Sequence, residues 1–162
     1  MPGYGAGLEP VRCIVVSVGF EPLRLSSLRD TFALEGVDMK TRYIVPFPPD
    51  GTAVRRCWRR LMEMVERSPD AVMGRTEIVS STDAEEVSTL IEGWRTSMGQ
   101  VVLAPFGPKP HTLGMALSAL QHNLGLYYTQ PLVYDPDYST GPGDPVAYVV
   151  KWDGVRCYER PE

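Results

Sequence analysis

VRCIVVSVG, residues 11–19, is an almost unbroken apolar run rich in β-branched side chains. A strand of this kind has no polar face to offer water, so it needs cover on both faces, as interior strands of a parallel sheet have. QVVLA, residues 100–104, is a second, shorter run of the same type. The two are expected to be neighbouring or near-neighbouring parallel strands inside one sheet.

The sequence outward from these runs alternates in period. Phe20-Glu21-Pro22 breaks the first run, and Leu23, Leu25, Leu28 and Phe32 make an apolar face for a first helix. TRYIVPF, residues 41–47, reads as a strand stopped by Pro46, Pro48 and Pro49. Over residues 52–67, Val54, Trp58, Leu61 and Val65 share one helical face, while Arg55, Arg56, Arg59, Arg60 and Glu63 occupy the rest. A short strand is expected over Thr76–Ser80. Thr82-Asp83-Ala84-Glu85 then has the spacing of a capping box. It opens a helix with Val87, Leu90, Ile91 and Trp94 turned inward and its end near Gly99. Beyond QVVLA, the segment PFGPKPHT leads into a helix from about Thr112 to Asn123, with apolar or small residues on nearly every side. Leu124–Gln130 reads as a strand, and Val146–Trp152 pairs with Val155–Tyr158 across a turn at Asp153-Gly154.

Alternating βα units of this sort give an α/β fold of Rossmann-like design: a mainly parallel central sheet, helices on both faces and a C-terminal β-hairpin. The expectation is one domain over residues 11–162 behind a flexible leader, residues 1–10. The length of 162 residues and a hydrophobic content of 43% suffice for one core. No run approaches the roughly eighteen apolar residues of a membrane span. The leader lacks the basic start and apolar stretch of a signal peptide, so a cytoplasmic protein with no membrane partner is expected. The three cysteines, Cys13, Cys57 and Cys157, are far apart and form no CxxC pair, which argues against a zinc site or a disulfide framework. No metal and no cofactor is expected. A net charge of −4 argues against an extended nucleic-acid surface while leaving room for a small basic pocket. The fingerprints of Walker-type phosphate loops, GxGxxG dinucleotide sites, GxSxG hydrolases and HExxH proteases are missing.

In open α/β sheets, ligands bind beyond the carboxyl ends of the strands, near a change in strand order. Two loops have that position: Ser17 to Pro22 after the first strand, and Gly107 to Thr112 after the fourth. In the second, Gly107 permits a sharp turn and close approach of a ligand. Lys109 adds charge at the mouth of a helix, and Thr112 is a candidate N-cap or donor to an oxyanion. His111 is a candidate base, a ligand-orienting residue or a structural one, and His122 complements the dipole near the end of its helix. The arginines of residues 55–60 form either a phosphate contact or a solvated face. In the region of residues 127–138, Tyr127, Tyr128, Gln130, Tyr134 and Tyr138 leave ligand stacking, a protein interface and simple packing all open.

Gly19-Phe20-Glu21-Pro22 and Gly107-Pro108-Lys109 together resemble the two pocket loops of the CRISPR-associated Rossmann-fold (CARF) domain family, with Ser17 near that family's strand-1 hydroxyl. Glu21 adds an anion there, and Pro108 stands where the family has a small or hydroxyl residue. The resemblance implies a sensor of a cyclic oligonucleotide, a cyclic oligoadenylate, bound across a two-fold homodimer. The ligand-binding candidates are Ser17, Gly19, Pro22, Gly107, Lys109, His111, Thr112 and Gln130. Two further readings stand beside a sensor. One is a small enzyme on a nucleotide or phosphorylated substrate, cleaving a phosphodiester in ring-nuclease fashion, with Ser17, Lys109 and His111 as catalytic candidates. The other is a protein-interaction subunit.

Overall fold

A computed structural model of the chain describes residues 3–4, 13–19, 40–48, 55, 59, 62–63, 75–128 and 145–158. Its strands are β1 (Gly3–Tyr4), β2 (Cys13–Ser17), β3 (Lys40–Phe47), β4 (Thr76–Ser80), β5 (Val101–Pro105), β6 (Gly125–Tyr127), β7 (Lys151–Trp152) and β8 (Val155–Arg156). Among the described residues, the continuous helices are α1 (Ala84–Met98) and α2 (Lys109–His122).

β2 is the central strand. It pairs in parallel with β3 on one side and with β5 on the other, Cys13 lying opposite both Lys40 and Val101. The sheet order is β1-β6-β5-β2-β3-β4, parallel throughout except for β1, which runs antiparallel along β6. The Rossmann-like α/β arrangement expected from the two apolar runs is therefore present, with both runs interior. All five residues of β2 and all five of β5 are buried.

Alternation along the strands divides the core into two clusters. Cys13, Val15, Ile44, Val79, Val101 and Leu103 pack with Val87 and Ile91 of α1 and Met115 and Ala119 of α2. Ile14, Val16, Tyr43, Val45, Val102, Ala104 and Phe106 form the other face. The helix expected around Leu23–Phe32 lies outside the described residues. In the segment 52–67, Arg55, Arg59, Met62 and Glu63 are described and helical, with both arginines exposed.

Several boundaries differ from expectation. Residues 1–10 were expected as a leader, yet Gly3–Tyr4 supplies an edge strand to the sheet. The capping residue of α1 is Asp83 and not Thr82: its carboxylate accepts from the Glu86 amide at 2.8 Å, while the Thr82 hydroxyl is taken up by Ser80 at 3.0 Å. Two capping residues stand side by side here, and the carboxylate wins the helix because it also meets the positive end of the dipole. α1 ends as expected at Gly99, whose amide bonds back to Arg95. β6 is shorter than its apolar run. The hairpin is reduced to Lys151–Trp152 against Val155–Arg156, with positive φ at both Asp153 (46°) and Gly154 (82°), as a two-residue type I′ turn requires.

A candidate site at the switch in strand order

From β2 the chain adds β3 and β4 outward on one side, then crosses back to add β5 and β6 on the other. The reversal falls between β2 and β5, so the loops leaving their carboxyl ends meet there. These are the two loops singled out in the sequence. Ser17, Gly19, Gly107, Lys109, His111 and Thr112 come together at this edge; Pro22 and Gln130 lie outside the described residues.

Backbone contact joins the loops directly. The Phe106 amide donates to the Ser17 carbonyl at 3.1 Å. A Cβ at Gly107 would stand 2.1 Å from the Ser17 Oγ, and one at Gly19 would stand 1.8 Å from the Phe106 carbonyl oxygen. Both positions are thus confined to glycine by the opposite loop. The close approach that Gly107 permits is filled by the Ser17 side chain, so the space expected to admit a ligand there is already occupied.

His111 organises the floor. Its Nε2 lies 2.8 Å from the Ser80 carbonyl oxygen, and its Nδ1 lies 3.0 Å from the Ser17 Oγ. A carbonyl only accepts, so Nε2 carries the hydrogen; Nδ1 is then the acceptor, and the Ser17 hydroxyl donates to it. Ser17 ends β2 and Ser80 ends β4, two strands that are not neighbours and stand about 10 Å apart with β3 between them. The imidazole bridges that gap. Burial lowers the pKa of His111, opposed by the Ser80 carbonyl and the Asp83 carboxylate, so the ring is held neutral.

A hydroxyl bonded to an imidazole that a third group orients has the layout of a nucleophile and its base. Here Ser17 and His111 are both 0% exposed. In this conformation neither reacting atom is open to a substrate, and the pair works as a clasp. Ser80 was not among the residues singled out from the sequence, because its contribution is a main-chain carbonyl that any residue could supply.

Helix α2 begins earlier than expected, at Lys109. Pro108 is its N-cap residue and makes no side-chain capping bond. Pro110 favours this early start, since the first turn needs no amide from it and its φ is already helical. Thr112 is consequently inside the first turn and not the N-cap: its amide bonds to the Pro108 carbonyl at 3.0 Å, and its hydroxyl donates to the same oxygen at 3.3 Å. Lys109 is exposed at the first helical position. Among the described residues, the amides of Lys109 and His111 meet no acceptor.

No protein-family model matches this chain, and neither a curated protein nor a solved structure matches it significantly. The site is therefore read from its own geometry. Among the described residues, no three His, Cys, Asp or Glu side chains gather so as to hold a metal ion, and no helix is long and apolar enough to cross a membrane. Cys13 is buried, its thiol pushed up to about 11 by desolvation, so it is inert at neutral pH.

The remaining polar groups serve packing. His122 pairs with Glu92 of α1 at 2.9 Å, and Glu92 also accepts from Arg95. Burial lowers the pKa of His122, opposed by the Glu92 carboxylate, so the ring serves as a specific partner for the neighbouring helix, where a charge at the helix end was expected. Ser88 and Ser118 bond across the α1–α2 contact at 2.9 Å. That contact covers one side of α2, leaving Leu120 exposed and Leu113, Ala116 and Leu117 half-buried. The Tyr148 hydroxyl donates to the Thr82 carbonyl, tying residues 145–150 to the turn that follows β4. Farther along, Trp152 and Val155 face each other on the hairpin and are each 68% exposed.

Proposed function

We propose that the chain is a cytoplasmic nucleotide-binding module, a second-messenger sensor whose ligand sets a phosphate against the first turn of α2. The observation that carries this reading is the coincidence of two things at one point: the switch in strand order between β2 and β5, and the opening turn of α2 with Lys109 exposed. A helix N-terminus offers amide donors and the positive end of a dipole, and Lys109 adds a full charge. The burial of Ser17 and His111 favours binding over turnover. The loop resemblance to CARF domains makes cyclic oligoadenylates the first ligands to test, in a homodimer that shares the ligand across its two-fold axis.

Isothermal titration of the wild type, Lys109→Ala and Lys109→Arg against cyclic oligoadenylates and simple nucleotides tests the reading. A charge-assisted contact is worth roughly 1.5–3 kcal/mol, so Lys109→Ala should weaken binding about tenfold to a hundredfold. Lys109→Arg should keep part of the affinity, since it retains charge but not shape. Wild-type protein that binds none of these ligands, or an alanine variant that binds equally well, refutes it. The apolar hairpin pair Trp152 and Val155 favours a second reading, a protein-interaction subunit, which then takes its place.

A further inference from the structure

The His111 ring is fully buried and joins three pieces of backbone, and burial favours its neutral form. With hydrogen on Nε2 and a lone pair on Nδ1, the ring donates to the Ser80 carbonyl and accepts from the Ser17 hydroxyl. A second proton on Nδ1 would point at the Ser17 Oγ. The hydroxyl would have to give up donating and turn its own hydrogen away, and a full charge would stand in a site closed to water.

Few charges face the ring among the described residues. From β2 there is the Ser17 hydroxyl, and from β4 the Ser80 carbonyl, both neutral. From the start of α1 there is the Asp83 carboxylate, which is occupied by the Glu86 amide. From α2 itself there is Lys109, exposed and of the same sign as an imidazolium. The loop after β5 brings Phe106 and Gly107, with no charge. A buried imidazolium would thus have no carboxylate in contact with it.

We propose that His111 is an acid-operated release for the carboxyl edge of the sheet. Neutral, it ties the first turn of α2 to the ends of β2 and β4. Protonated, it lets that turn part from them while the rest of the fold stays in place. The release is local because the two packed clusters behind it are apolar. The backbone it frees is the segment that carries Lys109. The release does not depend on any ligand being bound.

The sign follows from linkage. The folded ring takes a proton less readily than the unfolded chain, so the stability it supports is complete above about pH 6.5 and is lost as pH falls from there through the folded value.

The test uses the full chain without ligand: ring-nitrogen NMR to follow His111, and amide hydrogen exchange from pH 7.5 to 5 corrected for intrinsic rates. The reporters are Phe106, bonded to the Ser17 carbonyl, and Thr112, bonded to the Pro108 carbonyl. Val15 in β2 and Ile91 in α1 are the references. As His111 titrates, the reporters should open on the order of tenfold more often while the references hold. His122→Gln, changing the other of the two histidines, should leave the response intact. His111→Gln should abolish it. Protonation of His111 without reporter opening, loss of all amides together, or no titration before global unfolding overturns the proposal. The wild-type and His122→Gln titrations decide the matter even if His111→Gln does not fold.

Discussion

Gly107→Ala and Ser17→Ala should not behave as independent substitutions. Alone, Gly107→Ala drives a Cβ to 2.1 Å from the Ser17 Oγ, which is itself fixed on His111 at 3.0 Å. Either the hydroxyl leaves the imidazole or the loop backbone moves. Overpacking of this sort costs about 1–3 kcal/mol. Ser17→Ala alone leaves the buried Nδ1 without its donor, a cost of about 1–3 kcal/mol. In the double variant the colliding oxygen is gone. The nearest neighbours of the new Cβ become the side-chain carbon of residue 17 and the Val18 carbonyl oxygen, both at 3.2 Å, tight but tolerable with a small shift. The double variant should therefore be little worse than Ser17→Ala, with a coupling of about 1–3 kcal/mol. Urea denaturation of the four proteins measures this directly. In a chain of this length each kcal/mol also moves Tm by roughly 2–4 °C. Strict additivity would show that the two loops are not in contact, and the account of the closed floor would fail.

Three further substitutions test elements that hold the site from behind. Asp83→Ala removes the carboxylate that caps α1 and should cost about 0.5–2 kcal/mol by the same denaturation assay, whereas Thr82→Ala should cost less. Gly114→Ala puts a Cβ 2.3 Å from the Ala84 carbonyl oxygen, backbone that cannot step aside, so it should cost more than about 1 kcal/mol despite the better helix propensity of alanine; a neutral or stabilised variant would contradict the close α1–α2 approach.

What could be read in advance was whatever a side-chain pattern encodes locally. The apolar runs at residues 11–19 and 100–104 named the two interior strands because burial on both faces leaves no alternation. Gly107 and Lys109 stood out for the same local reason. The clasp could not be read, since Ser17, Ser80 and His111 are far apart in sequence and one of the three contributes only a carbonyl. The start of α2 lies beyond such a pattern: threonine is the commoner cap, whereas the signal that sets the start is the Pro108–Pro110 spacing. The edge strand at Gly3–Tyr4 was also invisible: two residues carry no period, and their pairing depends on β6 being in place.

The sheet's central strand has to wait for one of its two partners while the chain is being made. β2 can find β3 once residue 47 is made, but its partner on the other edge, β5, arrives only at residues 101–105, and the partner of Gly3–Tyr4 only at residue 127. Contacts so distant in sequence form slowly. Between the making of β3 and of β5, then, a wholly buried strand has one unpaired edge, which is when a chain is most exposed to wrong partners. Expression at lower temperature or with a chaperone that shields extended apolar segments should raise the soluble yield of this protein more than any substitution on its finished surface.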